Sequence, residues 1–304
     1  MNFLYFLEDL RMPVLDEFML AVTYFGDEIA FLVTALILYW CVDKRKGYYI
    51  LAVGFIGTLA NQFMKLWFRV PRPWVIDPEF TILEQAREAA SGYSFPSGHT
   101  QNAVGTFGGI AATTKNKVVR TAAIVIAILV PISRMYIGVH TPLDVLVAAA
   151  MAVVLIIILQ PVVLGNDGKY IPWLLGIMTV LAVAFLCFVE FYPFPSDMDA
   201  HNMASGVKNA YTLLGALIGL LIAYVIDEKW THFPEKAVWW AQLLKIAIGL
   251  GLVLAVKSGA KDVLNACFGE SVGRAVRYFL IVIVAGVLWP LTFKWFAKLG
   301  AKEK

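Results

Sequence analysis

Long apolar runs separated by short polar segments dominate this chain, and most runs approach the length a bilayer-crossing helix needs, about 20 residues. Nine are predicted as helices, over 25–42, 47–68, 97–114, 118–139, 142–164, 171–192, 207–226, 237–256 and 274–296. Residues 1–20 are amphipathic and interrupted by Pro13, so they are expected to lie in the lipid–water interface. The run over 97–114 is the least apolar and is rich in Gly, Ala and Thr. Small residues let helices approach closely inside a membrane bundle, which predicts a central position for it. The expected class is all-α, a polytopic membrane helix bundle.

Composition agrees with the pattern. Of 304 residues, 60% are hydrophobic and only 15% charged, against about 25% charged in soluble domains. An ordinary soluble enzyme and a disordered chain are both excluded. Nine Trp among 13% aromatics suit anchors at the two interfaces. The net charge of +3 offers no footprint for a nucleic-acid partner. Cys41, Cys187 and Cys267 are too scattered for a disulfide framework or a metal cluster and are expected as buried, inert thiols. Glu8, Asp9 and Arg11 fall where a cleavable signal peptide would need an unbroken apolar stretch.

Alternating the loops defines two faces. One, with the 43–46, 115–120, 165–170 and 227–236 loops and the C-terminus, carries thirteen Lys and Arg against six Asp and Glu. The other, with the 69–96, 139–142, 193–206 and 257–273 loops and the N-terminus, carries eleven against sixteen, with charges near helix ends counted on the nearer face and Lys245 left out. Basic loops stay in the cytoplasm, so the first face is expected to be cytoplasmic and the second extracytoplasmic.

Charge at membrane depth is expensive and points to function. Three clusters map to the second face: Lys65-Leu-Trp-Phe-Arg-Val-Pro-Arg72-Pro73, then Phe95-Pro96-Ser97-Gly98-His99, then Ser133-Arg134 followed by His140 and Asp144. Lys65, Arg72 and Arg134 together imply an anion, and phosphate is the obvious candidate. Lys65 and Arg72 are seven apart, two turns on one helix face. Arginine offers phosphate a bidentate fork and lysine a point charge. Ser97-Gly98-His99 opens a predicted helix, where unpaired N–H groups favour anions, and the Ser97 hydroxyl adds a donor. His140 and Asp144 are four apart, so the carboxylate can fix the imidazole tautomer and raise the nucleophilicity of its other nitrogen. His140 would attack phosphorus, and His99 would protonate the leaving oxygen and later activate water.

Lys65-x6-Arg72-Pro73, Pro96-Ser97-Gly98-His99 and Ser133-Arg134-x5-His140-x3-Asp144, in this order, resemble the signature of the type 2 phosphatidic acid phosphatase family. The resemblance covers about residues 20–165. It implies a six-helix-type phosphatase core and metal-independent hydrolysis of phosphomonoesters or diphosphates through a histidine nucleophile, with no cofactor. The organisation expected is an interfacial segment over 1–20, a phosphatase core over 21–165, and additional transmembrane helices of unassigned role over 166–304. A membrane site implies a lipid phosphate partner: phosphatidic acid, phosphatidylglycerol phosphate, a polyprenyl diphosphate or a sphingoid-base phosphate. Three other readings share the motifs. A phosphotransferase would use the same intermediate, and a non-enzymatic lipid-binding or transport protein could be built on the scaffold. The vanadate-dependent haloperoxidases resemble the motif set but are soluble.

Some features lie outside the motifs. Arg69 is expected to snorkel, and Ser133 either serves the third motif or simply caps or bonds back along its helix. Lys245 either pairs inside the bundle, snorkels, or marks a lipid headgroup. Residues 79–90, with Glu79, Glu84 and Glu88, read as a short amphipathic helix that covers the site, selects substrate or is merely solvated. Glu190, Asp197, Asp199 and His201 read as a solvated acidic loop.

Overall fold

The computed structural model describes residues 1–87, 90, 92–196 and 198–299. It is all-helical, 82% helix, with no strand among the described residues. In chain order the helices are α1 (Asn2–Asp9), α2 (Pro13–Thr23), α3 (Glu28–Ile37), α4 (Lys44–Phe68), α5 (Pro73–Ile76), α6 (Gly98–Ala103), α7 (Gly109–Thr113), α8 (Lys117–Tyr136), α9 (Pro142–Leu164), α10 (Ile171–Phe191), α11 (Ala200–Ile226), α12 (Trp239–Gly259), α13 (Lys261–Phe268), α14 (Glu270–Ile283) and α15 (Phe293–Lys298).

Among the described residues, seven helices are long and apolar enough to cross a membrane, or eight if one bent pair is a single span. That pair joins Pro13–Gly26 to Glu28–Val42 at 55°. Residues 13–20, expected to form a segment apart, thus lead through α2 and the 3₁₀ turn Tyr24–Gly26 into the first predicted span. The predicted 97–114 helix forms as α6, a π turn (Val104–Gly108) and α7. It ends at Thr113 and is too short to meet the length of a crossing helix.

The fold divides into two compact units. The first comprises Met1–Thr34, Tyr49–Pro161 and Phe194–Gly206 and contains every motif residue. The Gly- and Ala-rich α6–α7 run is central within it, as its small residues require. Gly109 packs on Ile50 and Tyr49, and Gly108 faces Ile156. Ala103 and Phe107 join Val22, Ala123 and Val130 in one apolar cluster. Arg11 fastens the start of the chain to the end of α8, donating to the carbonyls of Tyr136 and Thr81 at 3.1 Å. Beside it Gly138 has φ +92°, and a Cβ there would come within 2.9 Å of the Arg11 guanidinium. Only glycine both adopts that φ and fits the space, and the bend it makes delivers His140 two residues later.

The second unit comprises Ala35–Tyr48, Val162–Pro193 and Val207–Lys304. Lys245 is fully buried there, donating to the carbonyls of Trp40 at 2.8 Å and Glu235 at 2.9 Å beneath the ring of Phe293. Of its three readings, pairing inside the bundle is the one realised. Lys44 and the buried Asp227 form an ion pair at 2.6 Å. Gly215 meets the Ala275 carbonyl so closely that any side chain would collide, bringing α11 and α14 into backbone contact.

Two expectations need correction. The 79–90 segment is no continuous amphipathic helix; among its described residues it holds one 3₁₀ turn (Glu84–Ala86), and Glu88 lies outside the described residues. The cysteines are free, but Cys41 is half-buried and Cys187 and Cys267 are exposed. An apolar neighbourhood does not imply burial in a bundle whose outer face is itself apolar. The acidic stretch is solvated as expected: Glu190, Asp199 and His201 are exposed, Asp199 capping α11 through the Asn202 N–H at 2.7 Å, and Asp197 lies outside the described residues.

Candidate active site

The first motif departs from its predicted geometry. Lys65 and Arg72 do not share two turns of helix. α4 ends at Phe68, Arg69 turns left-handed at φ +51°, and Arg72 is the extended residue preceding α5. Pro71 is the cause, because it bars its predecessor from the helical region. The two side chains nonetheless converge on one loop. Arg72 Nε donates to the Gly92 carbonyl at 3.1 Å, and Lys65 Nζ donates to the carbonyls of Tyr93 and Ser94. Both cations are buried.

Ser97 is the N-cap of α6 and accepts from the Thr100 N–H at 3.4 Å, which leaves its own hydrogen to donate. The N–H groups of Gly98 and His99 open the helix, where no preceding carbonyl is available to them. A Cβ on Gly98 would meet nothing nearer than Asn61 Oδ1 at 3.9 Å. The backbone there is open to close approach by a ligand. His99 Nε2 lies 2.7 Å from Asp27 Oδ1.

The third motif frames a deeply buried imidazole. Thr141 and Asp144 cap α9 reciprocally: Asp144 Oδ2 accepts from the Thr141 N–H at 2.7 Å, and Thr141 Oγ1 accepts from the Asp144 N–H at 3.3 Å. Ser94 Oγ donates to the same Oδ2 at 2.6 Å. His140 Nδ1 faces this carboxylate at 3.5 Å and Ser94 Oγ at 3.4 Å, while its Nε2 faces Arg72 Nη1 at 3.0 Å. The carboxylate is therefore held tightly by Ser94 and Thr141 and contacts the imidazole at longer range than the sequence spacing suggested.

Arg134 is buried, with Nη1 donating to Thr23 Oγ1 at 2.7 Å, while its Nε has no partner among the described residues. A buried guanidinium donor without an acceptor is costly and is what an anion site requires. Ser133 bonds back to the Val130 carbonyl at 2.7 Å. Burial holds His140, in the loop between α8 and α9, well below its usual pKa range, and the charges of Arg72, Arg134 and Lys65 push it the same way. All three predicted cations thus act on one imidazole.

Sequence reasoning missed two residues. Ser94 carries no spacing signal, since it precedes the second motif in an irregular loop. Asp27 did leave one, because a carboxylate breaking an apolar run is the kind of charge that membrane cost makes informative.

Residues 45–166 match the PAP2 superfamily, and residues 211–303 match the PAP2 superfamily phosphatase transmembrane extension. The chain is 30% identical over 174 residues to phosphatidylglycerophosphatase B of Bacillus subtilis (strain 168), covering 53% of this chain and 79% of that relative. It is 29% identical over 144 residues to undecaprenyl-diphosphatase BcrC of the same organism, covering 47% and 72%. No solved structure matches the chain significantly. The chain belongs to the PAP2 superfamily and is a multi-pass membrane phosphatase. The extension match falls in the C-terminal half, where the sequence offered no recognisable motif.

Proposed function

We propose that the protein hydrolyses lipid phosphomonoesters or lipid diphosphates through a phosphohistidine on His140. One observation carries the reading: His140 Nε2 accepts from Arg72. An arginine cannot accept, so Nε2 holds the lone pair and Nδ1 the proton, which points toward Asp144. A phosphate entering beside Arg72 takes over the guanidinium and meets Nε2 in line. The N–P bond forms as the bond from phosphorus to the leaving oxygen breaks. Lys65, Arg72 and Arg134 hold charge on the non-reacting oxygens, joined by Ser97 and the N–H groups at Gly98. His99 gives its proton to the leaving oxygen. It then takes one from water, which attacks phosphorus, breaks the N–P bond and returns His140 to its neutral form. Asp144 stabilises the positive charge that the ring carries while phosphorylated.

Metal independence belongs to this proposal. Its support is that the cations the phosphate would meet, Lys65, Arg72 and Arg134, are supplied by the chain. The substrate is a phosphate tethered to acyl or prenyl chains. The relatives' names favour a polyprenyl diphosphate or phosphatidylglycerol phosphate, ahead of phosphatidic acid or a sphingoid-base phosphate. The site is assigned to the extracytoplasmic face on the asymmetry of Lys and Arg between the loops. Residues 166–304 add transmembrane helices to the phosphatase core over 21–165, a reading supported by the extension match.

The test is phosphate release by purified protein, in excess EDTA, from a panel of these four lipid classes. Robust release supports the proposal, and the ranking names the substrate. No release from any lipid overturns it.

A further inference from the structure

Within the first unit, the break between α2 and α3 places a carboxylate on His99. Asp27 is the residue at that break, between two helical arms that meet at 55°. Its carbonyl accepts from the Phe31 N–H at 3.1 Å and its N–H donates to the Tyr24 carbonyl at 3.1 Å, so the backbone is fixed on both sides. The preceding residue is pressed against the same turn. A Cβ on Gly26 would lie 2.8 Å from the His99 carbonyl and 2.9 Å from its Cβ, and the Gly26 carbonyl accepts from Asn102 Nδ2 at 3.3 Å. The result is the 2.7 Å contact between Asp27 Oδ1 and His99 Nε2. Asp27 precedes the stretch that matches the superfamily, 45–166.

We infer that Asp27 is the positioning residue of the acid–base histidine, forming with His99 a second carboxylate–imidazole pair beside that of Asp144 and His140. The inference rests on the phosphohistidine reading above. A general acid must hold a proton before it can give one, yet burial, with the charges of Arg134 and Arg72, lowers the His99 pKa to about 4. Asp27 is the group that acts the other way, because a carboxylate in contact is the counter-charge an imidazolium needs as it forms. The contact also fixes the roles of the ring nitrogens. With Nε2–H held by Asp27, Nδ1 is the nitrogen that gives its proton to the leaving oxygen. After that step Nδ1 carries a lone pair, correctly placed to take a proton from the attacking water, while Nε2–H stays on Asp27.

The alternative is that the pair merely ties the α2–α3 break to α6. Leaving-group dependence separates the two, because a nitrophenolate departs without a proton and an alkoxide does not. The experiment compares first-turnover release of leaving group from p-nitrophenyl phosphate and from phosphatidic acid, for the wild type, Asp27→Asn and Asp27→Glu. Asp27→Asn is expected to slow release from phosphatidic acid about 100-fold, the scale of lost acid catalysis, with a much smaller effect on the aryl ester. Asp27→Glu is expected to recover most of the difference. Equal slowing on both substrates, or none on either, overturns the role. Should Asp27→Asn fail to fold, Asp27→Ser is read on the same pair by the same criterion. A wild type that releases from neither substrate overturns the phosphatase reading itself, a result distinct from a missing split.

Discussion

Arg72 Nη1 stands 3.0 Å from His140 Nε2, and on the other side of the same ring Nδ1 faces Asp144 and Ser94. The guanidinium thereby reports which nitrogen carries the lone pair, and it occupies the side from which phosphorus arrives in the proposed mechanism. In that mechanism the resting site is a nucleophile already paired with its anion-binding group. Substrate phosphate has to come between or alongside the two, so binding and alignment are one event.

Ser94 is the tightest side-chain partner of the Asp144 carboxylate, at 2.6 Å. Hydrogen bonds to charged groups contribute about 1.5–3 kcal/mol, so Ser94→Ala is expected to lower kcat about 10- to 100-fold with little change in KM. Steady-state kinetics on the preferred lipid check this. Asp144→Asn should cost more, on the order of 10³-fold or above, because the amide no longer supports a positive ring.

The buried, cation-surrounded His140 stays neutral below its usual range. Its nucleophilic form therefore persists as pH falls through the ordinary histidine value of about 6.5. First-turnover release from p-nitrophenyl phosphate, which needs no acid, is expected to stay flat through that value once the substrate's own ionisation is corrected for. A limb centred near about 6.5 would place an ordinary, exposed imidazole in the role. Stability follows the same sign. Below that value the unfolded ring takes up a proton that the folded one refuses, so this residue's contribution to stability declines as pH falls.

Lys245 lies outside the chemistry. Its ammonium satisfies the Trp40 and Glu235 carbonyls inside the second unit. Lys245→Ala leaves both acceptors without this donor and opens a cavity, at a cost of about 2–4 kcal/mol. Thermal unfolding in detergent should show the loss, while kcat of the folded fraction stays at the wild-type value.

How much of this was legible in the sequence depended on range. The motif residues were readable because each short spacing constrains a local turn: His140 and Asp144 straddle the start of α9, and Ser97-Gly98-His99 opens α6 as expected, with Ser97 as its cap. The shared helix face for Lys65 and Arg72 failed because a seven-residue spacing says nothing about a proline in between. Ser94 was not found because it reaches the site through a loop, and no periodicity encodes where a loop returns; Asp27 broke an apolar run, but no spacing tied it to His99. The small residues over 97–114 did foretell a central position, since close packing leaves its mark on composition, though the helix they form is shorter than a full span.

The central claim is that His140 carries the phosphoryl group, and the most direct test is to trap it. Protein mixed with labelled substrate in EDTA and quenched in base within the first turnover should retain acid-labile, base-stable phosphate on the peptide containing His140, with none on His140→Ala. Label absent from the wild type under turnover, or equally present in His140→Ala, would contradict the account.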